Sequence, residues 1–121
     1  REGIAELAAC PNVVVKVGGI QMAVNGFGLE KRPRPIGSDE LLEITFPWYS
    51  HVISSFTPAR CMFESNFPVD RDCVSYRTLW NMFKKLAARM GLSDAEKADI
   101  FHDTAQRVYK LTTLEQEQSR L

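Results

Sequence analysis

Histidine is scarce in this sequence, and its scarcity excludes one kind of site. The 121 residues include only His51 and His102, and neither belongs to an H-x-H or H-E-x-x-H pair. A zinc site of three or four protein ligands therefore cannot be assembled at familiar spacings. A glycine-rich phosphate loop, a Ser-His-Asp set and a Cys-His pair at useful spacing are absent too. We expect no cofactor within this chain, assign no metal ligand to it, and interpret both histidines as surface or packing residues.

An excess of either charge is missing as well. Lys and Arg number 15, and so do Asp and Glu, which gives a formal net charge of zero. A nucleic-acid-binding domain is usually strongly basic, and an anionic membrane surface attracts basic segments. No apolar run approaches the roughly 20 residues that a transmembrane helix needs. We therefore expect neither nucleic acid nor a membrane among the partners.

The three cysteines are odd in number and have no C-x-x-C spacing. We interpret Cys10, Cys61 and Cys73 as reduced thiols of a cytoplasmic protein, packed as small buried hydrophobes.

The chain begins with Arg1 rather than Met and enters a helical pattern at once. We expect it to be a piece of a longer polypeptide.

Two short apolar runs predict two buried strands. The first covers residues 13–17 and is followed by Gly18 and Gly19, and the second, residues 60–64, has three apolar residues between Arg60 and Glu64. A continuously apolar run bounded by turn residues is typical of a strand enclosed on both faces of a parallel sheet. The rest of the pattern consists of helices over residues 2–9, 38–56, 76–90 and 93–111 and a loop over residues 26–37. This alternation predicts an α/β fold whose missing strands come from a larger domain or from identical chains.

Several residues indicate where helices start and what they bury. Ser38 is expected to cap the helix that follows the loop, because its side-chain oxygen can accept from free amides. Asp70 and Asp72 are expected to cap the helix after the second strand, the alternative being a catalytic use. Residues 93–96, SDAE, match a capping box. Two aromatic residues at helical positions are expected in the core, Trp48 and Trp80.

Three segments resemble one family of enzymes. Residues 60–69, RCMFESNFPV, resemble the last strand of the amidohydrolase-related family of TIM-barrel hydrolases, which typically reads Arg-x-Met-Phe-Gly-Ser-Asp-Trp/Phe-Pro-Val. Residues 12–19 are similar to the preceding strand, usually Asn-Val-x-x-Lys-x-Ser-Gly, and residues 93–111 to the closing helix. The resemblance implies that residues 1–111 are the last two β/α units of a (β/α)8 TIM barrel plus C-terminal helices, an incomplete barrel. Residues 112–121 would be a polar tail, and a full barrel takes about 250 residues.

The resemblance places the active site at the carboxyl ends of the strands, where this sequence departs from the family pattern twice. The family's Asp two residues before the Pro is a metal ligand, a general base or both, and here it is Asn66. An amide cannot accept a proton near neutral pH and is a weaker metal ligand than a carboxylate. The family's Gly two residues earlier is Glu64, which shares a strand face with Asn66. We hypothesise that Glu64 supplies the missing carboxylate, as base or substrate-orienting group, while Asn66 hydrogen-bonds the substrate or the water.

Other residues near the strand ends are candidates for substrate binding, each with a structural alternative. Glu64 can instead pair with Lys16, and a lysine in an apolar strand must find a partner, reach water or contact substrate. Gly18 and Gly19 form the end of the first strand. Arg32, in a basic loop with Lys31 and Arg34, can bind an anionic group such as a carboxylate, or be solvated.

The resemblance therefore implies the C-terminal part of an amidohydrolase-like hydrolase. It would use an activated water on a small carboxylated or cyclic ester, lactone or amide, and the fragment alone is expected to be inactive. A divalent metal such as zinc would belong to the full-length parent. The alternatives are a non-catalytic, self-associating α/β binding or interaction protein that has lost the catalytic Asp, and a small doubly wound α/β domain. The expected partners are a small-molecule substrate and either further copies of the chain or the missing N-terminal barrel units.

Overall fold

The computed structural model describes residues 1–111, and the predicted polar tail over residues 112–121 lies outside them. The elements in chain order are α1 Glu2–Ala8, β1 Val15–Val17, α2 Ser38–Phe56, β2 Cys61–Phe63, α3 Tyr76–Arg89, α4 Asp94–Ala98, a π-helical segment Asp99–Asp103 and α5 Thr104–Tyr109. β1 and β2 form a parallel pair in which Lys16 lies opposite Met62. The predicted α/β class with a parallel sheet is confirmed. None of the described helices is long and apolar enough to cross a membrane.

One face of the sheet packs against the helices. Cys61 and Phe63 of β2 belong to the hydrophobic core, and Phe63 stacks on Phe83 of α3 with ring centroids 4.3 Å apart. Met62, between them, is buried but lies outside that core cluster. Successive side chains of a strand point to opposite faces, so Met62 and Glu64 lie on the face turned away from the helices. The packing of the core therefore decides which face carries the polar residues.

Burial differs between the two strands, and the expectation that both are enclosed on two faces is wrong for β1 within residues 1–111. All three residues of β2 are buried, whereas in β1 only Val17 is. The side chain of Lys16 is 54% exposed. Lys16 lies opposite Met62, on the face turned away from the helices, so its ammonium remains in water. Within residues 1–111 no third strand pairs with the outer edge of β1.

The start of α2 differs from the prediction in its cap. Gly37, in extended conformation, is the N-cap, and its carbonyl oxygen accepts from Leu41 N at 3.0 Å. Ser38 is already helical, and its Oγ accepts from Lys85 Nζ of α3 at 2.9 Å. The same ammonium lies 2.6 Å from Asp39 Oδ1. The polar start of α2 thus joins two helices rather than capping one.

The start of α3 also corrects the sequence analysis. Ser75 is its N-cap, and Ser75 Oγ accepts from Thr78 N at 3.1 Å. Asp70 and Asp72 lie earlier, in the 3-10 turn Val69–Asp72, so neither caps the helix. The capping box at the start of α4 is confirmed, since Ser93 and Glu96 make both of its reciprocal bonds.

Burial of the predicted core residues is mixed. Trp48 is 51% exposed, because other positions of α2 form the buried face of that helix. The prediction that Trp48 lies in the core was therefore wrong. Trp80 is half-buried and packs against the core. Cys61 and Cys73 are buried as predicted, whereas Cys10 is exposed just after α1. All three cysteines are free thiols.

Candidate active site

Polar residues gather where the two strands end. The backbone N–H of Glu64 donates to Val17 O at 3.1 Å, which extends the parallel pairing by one residue beyond β2. Because the strands are parallel, the residues after β1 and after β2 meet at the same edge of the sheet. We call this group the strand-end site, and it consists of Lys16, Gly18, Gly19, Glu64 and Asn66.

The two glycines of the site allow the two strand ends to approach each other closely. A Cβ on Gly18 would clash with the backbone carbonyl oxygen of Glu64 and lie 2.5 Å from its Cγ. Gly19 has φ +74°, a conformation that favours glycine, and a Cβ there would lie 3.3 Å from Asn66 Nδ2. These contacts explain the glycines by packing, and their contact with substrate stays a prediction.

The structure brings Lys16 and Glu64 together, as one of the two alternatives predicted. Lys16 Nζ lies 3.3 Å from Glu64 Oε2, with the two side chains 54% and 28% exposed. A pair with this much access to water contributes about 0–1 kcal/mol, so it does little to hold the fold. Among the described residues no donor lies on the second carboxylate oxygen, Glu64 Oε1. Glu64 therefore keeps one oxygen open at the strand end.

Asn66 adopts a left-handed backbone, with φ +54°, at the point where the chain turns away from the sheet. Asparagine tolerates this region better than most residues because its short polar side chain can hydrogen-bond locally. Asn66 O accepts from Asp70 N at 3.2 Å, and Asn66 Nδ2 donates to Asp70 Oδ1 at 2.9 Å. The turn is thus closed by both backbone and side chain.

Asp70 contacts Asn66 of the strand-end site, and the sequence analysis missed its position. It is fully buried, and its Oδ2 has no hydrogen-bond partner among the described residues. Burial raises the pKa of the Asp70 carboxyl, the hydrogen bond from Asn66 opposes this rise, and the charge of Glu64 adds to it. The available signal was the four-residue spacing from Asn66, which a tight turn brings into contact.

Arg32 lies apart from the strand-end site and is already paired. Its Nη1 and Nη2 donate to Glu40 Oε1 and Oε2 at 2.8 and 2.9 Å, a two-pronged contact that fixes the guanidinium. Arg32 and Phe67 help to line a groove of about 390 Å³ whose walls include neither Glu64 nor Asn66. Substrate binding by Arg32 stays a prediction. It requires the guanidinium either to leave Glu40 or to bind Glu40 and the substrate together.

The strand-end residues do not fit a metal ion. The described residues contain no group of three or more His, Cys, Asp or Glu that could hold one. Asn66 points its amide nitrogen at Asp70, and the carboxylate of Glu64 faces the ammonium of Lys16. A neighbouring cation opposes binding of a second one at the same carboxylate.

Comparison with known proteins identifies the family to which the chain belongs. The chain belongs to the amidohydrolase family, whose model matches residues 1–111. Two crystal structures of an amidohydrolase from Burkholderia multivorans, one with bound zinc and one with bound HEPES, superpose on it with TM-scores of 0.75 at 29% identity. The superposition covers 89% of this chain and 35% of that one.

A particular relative is an uncharacterized protein, y4mH, of Sinorhizobium fredii. It is 33% identical over 111 residues, which are 92% of this chain and 32% of the relative. The chain therefore spans about a third of the length of the proteins it matches. The family assignment predicted from the three sequence segments is confirmed.

Proposed function

We propose that residues 1–111 form the last two β/α units of a (β/α)8 barrel and that the complete protein is a hydrolase. Family membership and the likeness to a solved amidohydrolase support this. In such barrels the catalytic groups lie at the carboxyl ends of the strands, where Glu64 and Asn66 stand. The substrate class we propose is a small carboxylated or cyclic ester, lactone or amide.

The observation that carries the mechanism is the open oxygen of Glu64 on the sheet face turned away from the helices, two residues before Asn66 in the chain. Glu64 acts as general base and takes one proton from a water molecule. The water oxygen then bonds to the substrate carbonyl carbon, the bond to the leaving group breaks, and the leaving group takes up the proton. Asn66 orients the water or the substrate, and Lys16 and the two glycines complete the binding surface.

A zinc ion in the complete protein would need ligands from outside residues 1–111, because Glu64 and Asn66 do not form a site for one. We also expect the 121-residue chain alone to show no turnover, because the other strands of the barrel would supply the remaining residues around the substrate.

The test is replacement of Glu64 by glutamine in the complete protein. Glu64→Gln keeps the size of the side chain and removes the base, so kcat for 4-nitrophenyl esters and lactones should fall about 100-fold or more. Glu43→Gln is the matched control, because Glu43 pairs with Arg89 on the helical surface. Equal turnover in wild type and Glu64→Gln would exclude the catalytic role and leave Glu64 as the structural partner of Lys16.

A second candidate function is a non-catalytic, self-associating binding protein. Asn66 in place of the family's Asp favours it, as do the unpaired outer edges of the two-stranded sheet within the described residues. Under this proposal, Glu43→Gln and Glu64→Gln behave alike and neither form hydrolyses any ester or lactone.

A further inference from the structure

Asp70 is a buried carboxylate to which the proposed mechanism gives no task. Its side chain has no exposure to solvent, one oxygen accepts from Asn66, and the other has no partner among residues 1–111. A buried carboxylate with an unpaired oxygen costs folding free energy, and an asparagine would fill the same space without the charge. Packing alone therefore does not account for an aspartate here.

The side chain of Asn66 has two different ends, and the structure distinguishes them. Nδ2 is enclosed between Asp70 Oδ1, at 2.9 Å, and the backbone of Gly19, where an added Cβ would lie 3.3 Å away. Oδ1 accepts no hydrogen bond within the described part of the chain and is not among its buried unpaired atoms. The amide nitrogen thus faces inward, and the amide oxygen faces solvent at the strand end.

An ionised carboxylate can select this orientation because it only accepts hydrogen bonds. If the Asn66 amide turned over, its oxygen would face Asp70 Oδ1, and two acceptors would meet without a proton between them. An asparagine at position 70 would impose no such choice, since its own amide can present either a donor or an acceptor.

We propose that Asp70 is a positioning residue that holds the Asn66 amide with Nδ2 inward and Oδ1 turned to the strand-end site. This inference rests on the proposed function and deepens it. Asn66 then offers an acceptor at the same end of the sheet as the open oxygen of Glu64. A water molecule that donates one hydrogen to each acceptor keeps its lone pairs for the substrate carbonyl. Asn66 thus aligns the water that Glu64 deprotonates.

The orientation can be tested without activity. In complete protein labelled with ¹⁵N-asparagine, the side-chain N–H signals of Asn66 should carry the downfield shift of a donor to a carboxylate. Asp70→Asn should move them to the position of a neutral contact, whereas Asp72→Asn, an exposed neighbour in the same turn, should leave them in place. Unchanged Asn66 signals in Asp70→Asn would overturn the proposal.

The kinetic readout separates positioning from a purely structural role. Asp70→Asn should lower kcat for 4-nitrophenyl acetate about 10-fold and leave KM within about twofold. Its Tm at neutral pH should equal or exceed that of wild type, because burial raises the pKa of Asp70 and the ionised form opposes folding. A lower Tm with unchanged kcat would mean that Asp70 only closes the turn, and would also overturn the proposal. If the complete protein hydrolyses neither esters nor lactones, the proposed function fails, and the Asn66 signals alone then decide whether Asp70 holds that amide.

Discussion

Arg60 shows how one side chain can join several elements. Its Nη2 donates to Ala8 O at 2.7 Å, its Nη1 to Cys10 O at 3.0 Å, and its Nε to Phe56 O at 3.0 Å. These carbonyls stand at the ends of α1 and α2, where helix carbonyls lack partners within the helix. The sequence motif contains this arginine, but only the structure shows that its guanidinium satisfies two helix ends at once.

We predict that Arg60→Met destabilises the protein by about 3 kcal/mol, because charged hydrogen bonds to carbonyls are lost together and no polar group replaces them. Urea unfolding followed by circular dichroism measures the change. Arg77→Met is the control, since Arg77 is exposed on α3. Equal unfolding midpoints for the two variants would show that the Arg60 contacts contribute nothing.

The capping box at Ser93 predicts a pH dependence. The backbone N–H and the hydroxyl of Ser93 both donate to Glu96 Oε2, at 2.8 and 2.9 Å, and these bonds lower the pKa of the Glu96 carboxyl. A lowered folded pKa means stability that is present above the unfolded pKa and lost as the pH falls through the folded one. Glu96→Gln should therefore lower Tm more at about pH 6 than at about pH 3. Equal losses of Tm at the two pH values would show that the charge of Glu96 does not strengthen the cap.

The candidate site could be predicted where regular strand geometry brings two residues together, and not where an irregular loop or turn does. Lys16 and Glu64 could be paired in advance, because alternation along parallel strands fixes the face on which each lies. The partner of Arg32 could not, because a loop with two prolines decides whether Glu40 comes within reach. Asp70 was misplaced because its burial depends on how the chain folds back after the left-handed Asn66.

At the scale of elements, the order of helices and strands followed from periodicity, while their ends and exposed faces did not. β1 and β2 each proved shorter than the apolar runs that predicted them. Trp48 lies on the open side of α2 because the buried positions of that helix follow a different stripe, which includes Leu41, Thr45 and Tyr49. The local sequence pattern determines whether a segment is a helix or a strand, but the elements packed against it determine which of its faces is buried.

The contact of β2 with α3 carries the next prediction. Phe83 is fully buried and lies against Phe63, Tyr49 and Trp80. Phe83→Ala removes these contacts and leaves a cavity, which should cost about 3–5 kcal/mol. Trp48→Ala deletes an equally aromatic but half-exposed side chain, and should cost about 1 kcal/mol or less. Chemical unfolding of the protein compares the two variants, and similar losses of stability would contradict the assignment of Phe83 to the core.

At the scale of the whole molecule, the sheet is small compared with the helices that pack against it. Two strands of three residues each are covered by helices on one face, and within residues 1–111 each strand has one edge without a partner strand. Open strand edges pair readily with other chains. The match to about a third of longer relatives agrees with a sheet completed by further strands.

We therefore propose that the 121-residue chain self-associates when it is alone, because another copy can pair with the edge that further barrel units would cover. Sedimentation equilibrium should give an average mass above 13.7 kDa that rises with concentration. Val14, 38% exposed, directly precedes β1, the strand that carries one of the open edges, whereas Val24 is 82% exposed in the following loop. Val14→Lys should shift the chain toward monomer by placing a charge at the edge, and Val24→Lys should leave its association as it is. A folded monomer at every concentration would show instead that the two strands need no neighbours, and equal effects of the two lysines would place the association elsewhere.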